Sequence, residues 1–164
     1  MKILSRSLVI FLLILMTACG YHLRGFFDMP AWLNDVGIVL EKGHRDLPNL
    51  LQQQLEAYKV NVVPLSEARY ILIIKNDQYR QEIMSVSSTT TPRQYQVFYS
   101  VHFVLQEAKG KMLIPAGIVE ITRQITINSD RILGSDEEET LIKKEMREDA
   151  VLQIINRLSK LEPN

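Results

Sequence analysis

The sequence predicts an α/β sandwich: two helices packed on one face of a four-stranded mixed β-sheet, in the order β-α-β-β-β-α. Three observations carry this. Residues 47–58 and 141–158 repeat apolar side chains at helical spacing, and residues 94–106 alternate with a period of two. A second β-like run, residues 117–127, follows that alternation after the short polar turn EAKGK. The pattern fills residues 33–164 without an internal repeat, a low-complexity block or a Pro/Gly-rich linker, so a single domain accounts for it.

The first strand is the apolar run VGIVL at residues 36–40. The loop EKGHRD then leads to Asp46, read as a helix cap. In the helix that follows, Leu47, Leu50, Leu51, Leu55 and Tyr58 lie along one side, with Gln52, Gln53, Gln54 and Glu56 mostly on the other. Residues 60–63 pass through Pro64 to YILIIK at 70–75, whose apolar residues occupy both side-chain parities. That suits a central strand covered on one face and sheltered on the other. Strand, helix and strand in this order predict a right-handed parallel crossover.

The Ser/Thr-rich segment SVSSTTTPRQY, residues 85–95, reads as a polar loop into the next strand. In that strand Tyr95, Val97, Tyr99, Val101, Phe103 and Leu105 share one face, and Gln94, Gln96, Ser100, His102 and Gln106 share the other. One-sided alternation of this kind fits an antiparallel strand whose polar side meets solvent or a partner, so Gln96, Ser100 and His102 are candidate partner-facing residues. After the EAKGK turn, Val119, Ile121, Ile125 and Ile127 keep one parity, interrupted by Arg123. Pro115 has no amide hydrogen to give a ladder and belongs before the regular pairing or at a bulge. Ser135 with Glu138 three residues on resembles a capping box, with acidic residues in the first turn where the helix dipole favours them. Leu141, Ile142, Met146, Val151, Ile154, Ile155 and Leu158 then form the stripe of a helix of about 25 residues ending near Arg157 and Lys160.

Composition narrows the function. Residues 1–18 hold Lys2 and Arg6 and no acidic residue, so without them 17 basic residues face 19 acidic ones and the net charge is about −2. Nucleic acid is not an indicated partner. His22, His44 and His102 stand in separate segments and there is one cysteine, so neither a metal nor another cofactor is called for. No catalytic residue emerges either: the run SDEEET reads as a helix start with a solvated face, and no glycine-rich loop has phosphate-binding spacing.

The amino terminus has its own logic. A short basic region precedes the unbroken apolar run at residues 8–16, too short to cross a hydrocarbon core of ~30 Å. Thr17 and Ala18 before Cys19 resemble the lipobox of bacterial lipoproteins, with Met16 where that pattern prefers leucine. The resemblance implies cleavage after residue 18 and lipidation of Cys19, anchoring the chain to membrane lipid through its acyl groups. A plain cleavage site with a free thiol is the alternative, and a lone thiol is a liability in an oxidising compartment. By resemblance to enterobacterial lipoprotein sorting, Gly20 after the cysteine implies the outer membrane, on its periplasmic side. Residues 19–32 read as a tether in which Tyr21, Phe26 and Phe27 either dock on a partner or cover nearby apolar surface.

The heptapeptide CGYHLRG after that run, the element order, and KKEMREDAVLQIINRL near the carboxyl end resemble the lipopolysaccharide-assembly lipoproteins of the outer-membrane transport machinery. The resemblance implies a plug inside the large β-barrel lipopolysaccharide translocon that assists the barrel's assembly and binds lipopolysaccharide. It also implies basic ligand-binding residues near the loop before the third strand and before the final helix. Arg93 loosely matches the first; Ser135 stands at the second, with Arg131 nearby. Arg93 and Arg131 are therefore the candidate lipopolysaccharide-binding residues, a guanidinium fork being suited to phosphate. A lipid-anchored periplasmic enzyme and a structural envelope lipoprotein touching peptidoglycan are the competing readings.

Overall fold

A computed structural model describes residues 28–86, 92–126 and 135–162. Strand β1 (Val36–Leu40), helix α1 (Asp46–Ala57), strands β2 (Tyr70–Val86), β3 (Pro92–Glu107) and β4 (Met112–Thr126) and helix α2 (Ser135–Ser159) follow in that order. In the sheet the strands run β1-β2-β3-β4, β1 parallel to β2 and the remaining neighbours antiparallel. The two helices cover one face and touch each other, giving the β-α-β-β-β-α sandwich that the sequence predicts.

Helix α1 forms because Leu47, Leu51 and Leu55 recur every four residues, and all three are fully buried. Each leucine withdrawn from water stabilises the fold by ~1.5–3 kcal/mol. Asp46 is not the cap. Arg45 holds that position without a side-chain cap bond, and Asp46 lies in the first turn, its backbone N–H donating to His44 Nδ1 at 3.3 Å. A carboxylate inside the first turn still meets the positive end of the helix dipole. At the other end Lys59 N–H donates to Glu56 O at 2.9 Å and Val60 N–H to Leu55 O at 3.0 Å, the paired bonds of a Schellman motif. Lys59 accordingly has φ 63°, and Val60 turns inward beside Leu55.

Helix α2 buries Met146, Ala150, Val151, Ile154, Ile155 and Leu158. Leu141, expected in that stripe, is instead 54% exposed. It stands one residue, about 100° of helix rotation, away from the line through Ile142 and Met146.

Strand β2 runs well past the six residues expected, from Tyr70 to Val86, and pairs with β3 as far as Pro92. The loop expected at 85–95 therefore shrinks, since Ser85 is opposite Gln94 in the ladder. A bulge between Ile74 and Asn76 resets the side-chain parity, so that Asp77, Tyr79, Gln81 and Ile83 follow Leu72 and Ile74 on the helix side. Polar residues thus occupy both parities beyond Lys75. The hydrophobic alternation that marks a strand disappears there although the pairing continues.

Across the hairpin to β4, the register shifts between Phe103 and Leu105, whose partners are Gly117 and Ile114, and Pro115 sits in that irregularity. Gly117 lies against the buried Phe103 ring so closely that a Cβ would come within 2.5 Å of it. At the amino-terminal side Met29 and Trp32 pack on the core, Trp32 meeting Tyr70 edge-on with ring centroids 5.2 Å apart.

Candidate functional site

Among the described residues no helix covers the sheet face opposite α1 and α2, and strand alternation decides what it displays. In β3, Val97, Val101, Phe103 and Leu105 are buried under the helices, while Gln96, Phe98, Ser100 and His102 point the other way and are half-buried. The ladder extends these into rows. Gln96 lies between Glu82 and Gln124, Phe98 between Arg80 and Thr122, Ser100 between Gln78 and Glu120, and His102 between Asn76 and Ile118. The Arg80 guanidinium stacks 4.6 Å above the Phe98 ring, and its Nε lies 3.3 Å from Glu82 Oε1. Gln124 Nε2 donates to Met84 Sδ at 3.7 Å. This half of the face offers hydroxyl, amide and imidazole groups on a three-strand ladder, with Ile118 and Met84 exposed among them.

The other half, toward β1, is apolar, with Val39 and Ile71 partly covered and Val104 opposite Ile73 buried among its neighbours. Leu65 and Ala68 close over Gly37, where a Cβ would approach Leu65 Cδ2 to 2.8 Å. The surface therefore divides into a short apolar end and a longer, mainly polar end, interrupted by Phe98, Ile118 and Met84, that continues toward the β2–β3 tip.

Two polar linkages on the helix side hold this platform. Tyr99 donates its hydroxyl to Asp77 Oδ2 at 2.6 Å, and burial, reinforced by that bond and the Asp77 charge, pushes the phenol well above its ordinary value. Arg123 on β4 grips two carboxylates of α2: Nη1 donates to Glu145 Oε2 and Nη2 to Asp149 Oδ2, the latter at 2.7 Å. Its guanidinium is held above the usual range by the bonds to Asp149 and Glu145. In the sequence Arg123 stands out only as an interruption of an apolar parity. The signal of its role is nonetheless present, since a cation on the core parity of a strand needs a partner, and Glu145 and Asp149 are four residues apart on one helix face.

The structure brings Gln96, Ser100 and His102 together on one face, two residues apart along β3 or four. Arg93 falls in β3 near the tip, its side chain outside the described part, and Arg131 and Cys19 lie outside the described residues altogether. Among the described residues no cluster of three or more His, Cys, Asp or Glu converges as a metal site, and no helix is long and apolar enough to cross a membrane.

The lipopolysaccharide-assembly (LptE) family model matches residues 38–158, from β1 through nearly all of α2. The chain belongs to that family. It is 28% identical over 166 residues to the LPS-assembly lipoprotein LptE of Pectobacterium atrosepticum, covering 93% of this chain and 83% of that protein. Its match to the LPS-assembly lipoprotein LptE of Photorhabdus laumondii is 26% over 159 residues, covering 93% and 84%. The fold is shared with the solution structure of an uncharacterized lipoprotein B from Nitrosomonas europaea, with a TM-score of 0.70 and 24% identity over 85% of this chain and 90% of that one. It is shared as well with a rare lipoprotein B from Shewanella oneidensis, at a TM-score of 0.62 and 22% identity over 75% and 93%. Family membership and the uncovered polar face meet in β3: the matched region contains the whole of that strand.

Proposed function

We propose that the chain is an outer-membrane lipoprotein, anchored on the periplasmic side through acylated Cys19, that plugs the β-barrel lipopolysaccharide translocon and assists its assembly. In this role it helps insert lipopolysaccharide into the outer leaflet and performs no chemistry of its own. The family match across residues 38–158 carries the reading. The polar rows through Gln96, Ser100 and His102 support it, because the lumen of a large outer-membrane barrel is polar and water-filled. Depleting the chain from its host tests the assembly role: the amount of folded, heat-modifiable barrel should fall, and an unchanged amount contradicts it.

The anchor and the ligand have separate tests. Intact-mass analysis of the mature protein should show cleavage before Cys19 with thioether-linked lipid, and Cys19→Ala should leave an uncleaved precursor or release the protein from the outer membrane. Arg93 and Arg131 contact the phosphorylated part of lipopolysaccharide in this reading, each charged hydrogen bond contributing ~1.5–3 kcal/mol when well formed. Arg93→Ala with Arg131→Ala should weaken lipopolysaccharide binding, and wild-type affinity should decline with salt, since screening acts over ~8 Å at physiological ionic strength. Equal affinities in the two proteins would remove this site and leave the plug role in place.

A further inference from the structure

Strand β4 is the outer strand of the sheet, and among the described residues no strand pairs with its far side. Over residues 117–126 it follows β3 without an irregularity, the register shifts all lying before Gly117. Pro115, the one proline of the strand, also precedes that stretch. Every second residue there turns its backbone N–H and C=O away from β3. Long sheet edges are ordinarily blunted by a proline, a bulge or lysines, because a free edge is a template for another strand. Past Gly117 this edge has none of these. Its two charged residues are Glu120, exposed on the open face, and Arg123, taken up by α2.

Helix α2 overlooks this edge. Lys143, its Nζ 4.5 Å over the Tyr79 ring of β2, and Arg147, its Nη2 3.8 Å from Asp46 Oδ2 of α1, mark the inner flank of the helix. Glu145 and Asp149, which hold Arg123 of β4, mark the outer flank. At about 100° of rotation per residue, Glu138, Leu141, Glu145, Glu148 and Leu152 form one line, and Glu145 fixes that line on the outer flank. Leu152 is 40% exposed and Leu141 more so, and on β4 itself Met112 and Ile118 stand out to solvent. Of the seven large hydrophobic side chains exposed among the described residues, four therefore border this edge.

Charge then selects the partner. Glu120, Glu138, Glu145, Glu148 and Asp149 stand along the edge against two cations, Arg123 and Lys144, the latter 4.0 Å from Glu148. Glu120 and Glu138 are exposed and have no ion pair among the described residues. A second copy of the chain would bring the same excess of negative charge, so like would face like. A basic segment relieves the excess. In an added strand successive side chains take opposite faces, so one set meets Leu141 and Leu152 while the other lies on the open face beside Glu120.

We propose that the outer edge of β4 takes up an extended, basic segment of a partner polypeptide as a fifth strand, with aliphatic side chains against Leu141 and Leu152 and a lysine or arginine beside Glu120. The edge is distinct from the open sheet face and needs neither the acyl anchor nor a barrel, so its failure and that of the proposed function are separable. The test uses the full chain, isotopically labelled, in zwitterionic micelles. The probe is a short peptide with blocked ends that alternates valine with lysine, and the readout is hydrogen exchange of the amides of residues 117–126. In the free protein every second amide of that stretch should exchange fast. The peptide should slow those amides about tenfold at ten times its midpoint concentration and leave residues 76–86, the other unpaired strand edge, as they were. A peptide alternating valine with glutamate should do less. Glu120→Lys and Leu152→Gln, both at exposed positions, should each raise the midpoint about threefold with the remaining spectrum unchanged, and Glu120→Lys should turn the preference toward the glutamate peptide. No slowing, slow exchange before any peptide is added, slowing with protein concentration alone, protection at residues 76–86 instead, the same effect from a peptide whose central valines are prolines, or equal midpoints in the variants would each overturn the proposal.

Discussion

Single residues in this protein fix spacing and protonation where elements meet. Gly117 is required by the ring of Phe103, itself 1% exposed and unable to swing away. Gly117→Ala should therefore destabilise the fold by ~1–3 kcal/mol, the cost of overpacking a core, and lower the urea midpoint without changing the slope. An unchanged midpoint contradicts the packing argument. Tyr99 gives a pH-dependent prediction. Its phenol is held above the ordinary value of 10.0, first by burial and then by its bond to Asp77, so the folded state favours the neutral form. That contribution is fully present below pH 10.0 and is lost as pH rises above it toward the folded-state value, because only the unfolded phenol ionises readily there. Melting temperature should fall more steeply above pH 10.0 in the native protein than in Tyr99→Phe; parallel curves would refute the assignment.

Elements are joined by a few polar contacts laid over the apolar stripes. Lys59 closes α1 with φ 63°, a conformation that costs an L-residue with a side chain ~1–2 kcal/mol. Lys59→Gly keeps the Schellman bonds and should raise stability by about 1 kcal/mol in a urea melt. Arg123 ties β4 to α2 through Glu145 and Asp149, with its side chain 33% exposed and the carboxylates 44%. At that exposure the coupling should be only ~0.5–1 kcal/mol in a double-mutant cycle of Arg123→Met with Asp149→Asn, and should shrink in high salt. These elements differ in how plainly the sequence declares them. Strand β1, both helices and the β3–β4 hairpin follow from apolar periodicity, because each presents one face to the core. The distal half of β2 does not, since its Asp77 and Gln81 face the helix side without a core to fill, and backbone pairing to β3, with the Tyr99 hydroxyl bond to Asp77, holds it in the sheet. Leu141 shows the reverse error, an apolar residue near the stripe that the helix rotation carries out to solvent.

For the whole molecule, the proposed role follows from one sheet face that no helix covers among the described residues. The parity of Gln96, Ser100 and His102 is legible in the sequence, because period-two alternation assigns faces directly. Their neighbours are not. The rows through Arg80, Gln78 and Glu120 depend on a register set by bulges, and no sequence pattern marks where those bulges fall. In the proposed role as a plug, this mainly polar face is the surface that meets the barrel. Replacing Ser100 with Arg should disturb that contact while leaving the core intact, since its side chain points away from the helices; replacing exposed Lys160 should have a smaller effect than reversing charge at Arg93. The most direct measurement is extraction of the full chain from its native outer membrane in mild detergent, followed by size-exclusion chromatography and quantitation of what co-elutes. The plug reading predicts a large β-barrel protein in one-to-one ratio that is lost or reduced in the Ser100→Arg protein; elution of the chain by itself would contradict it.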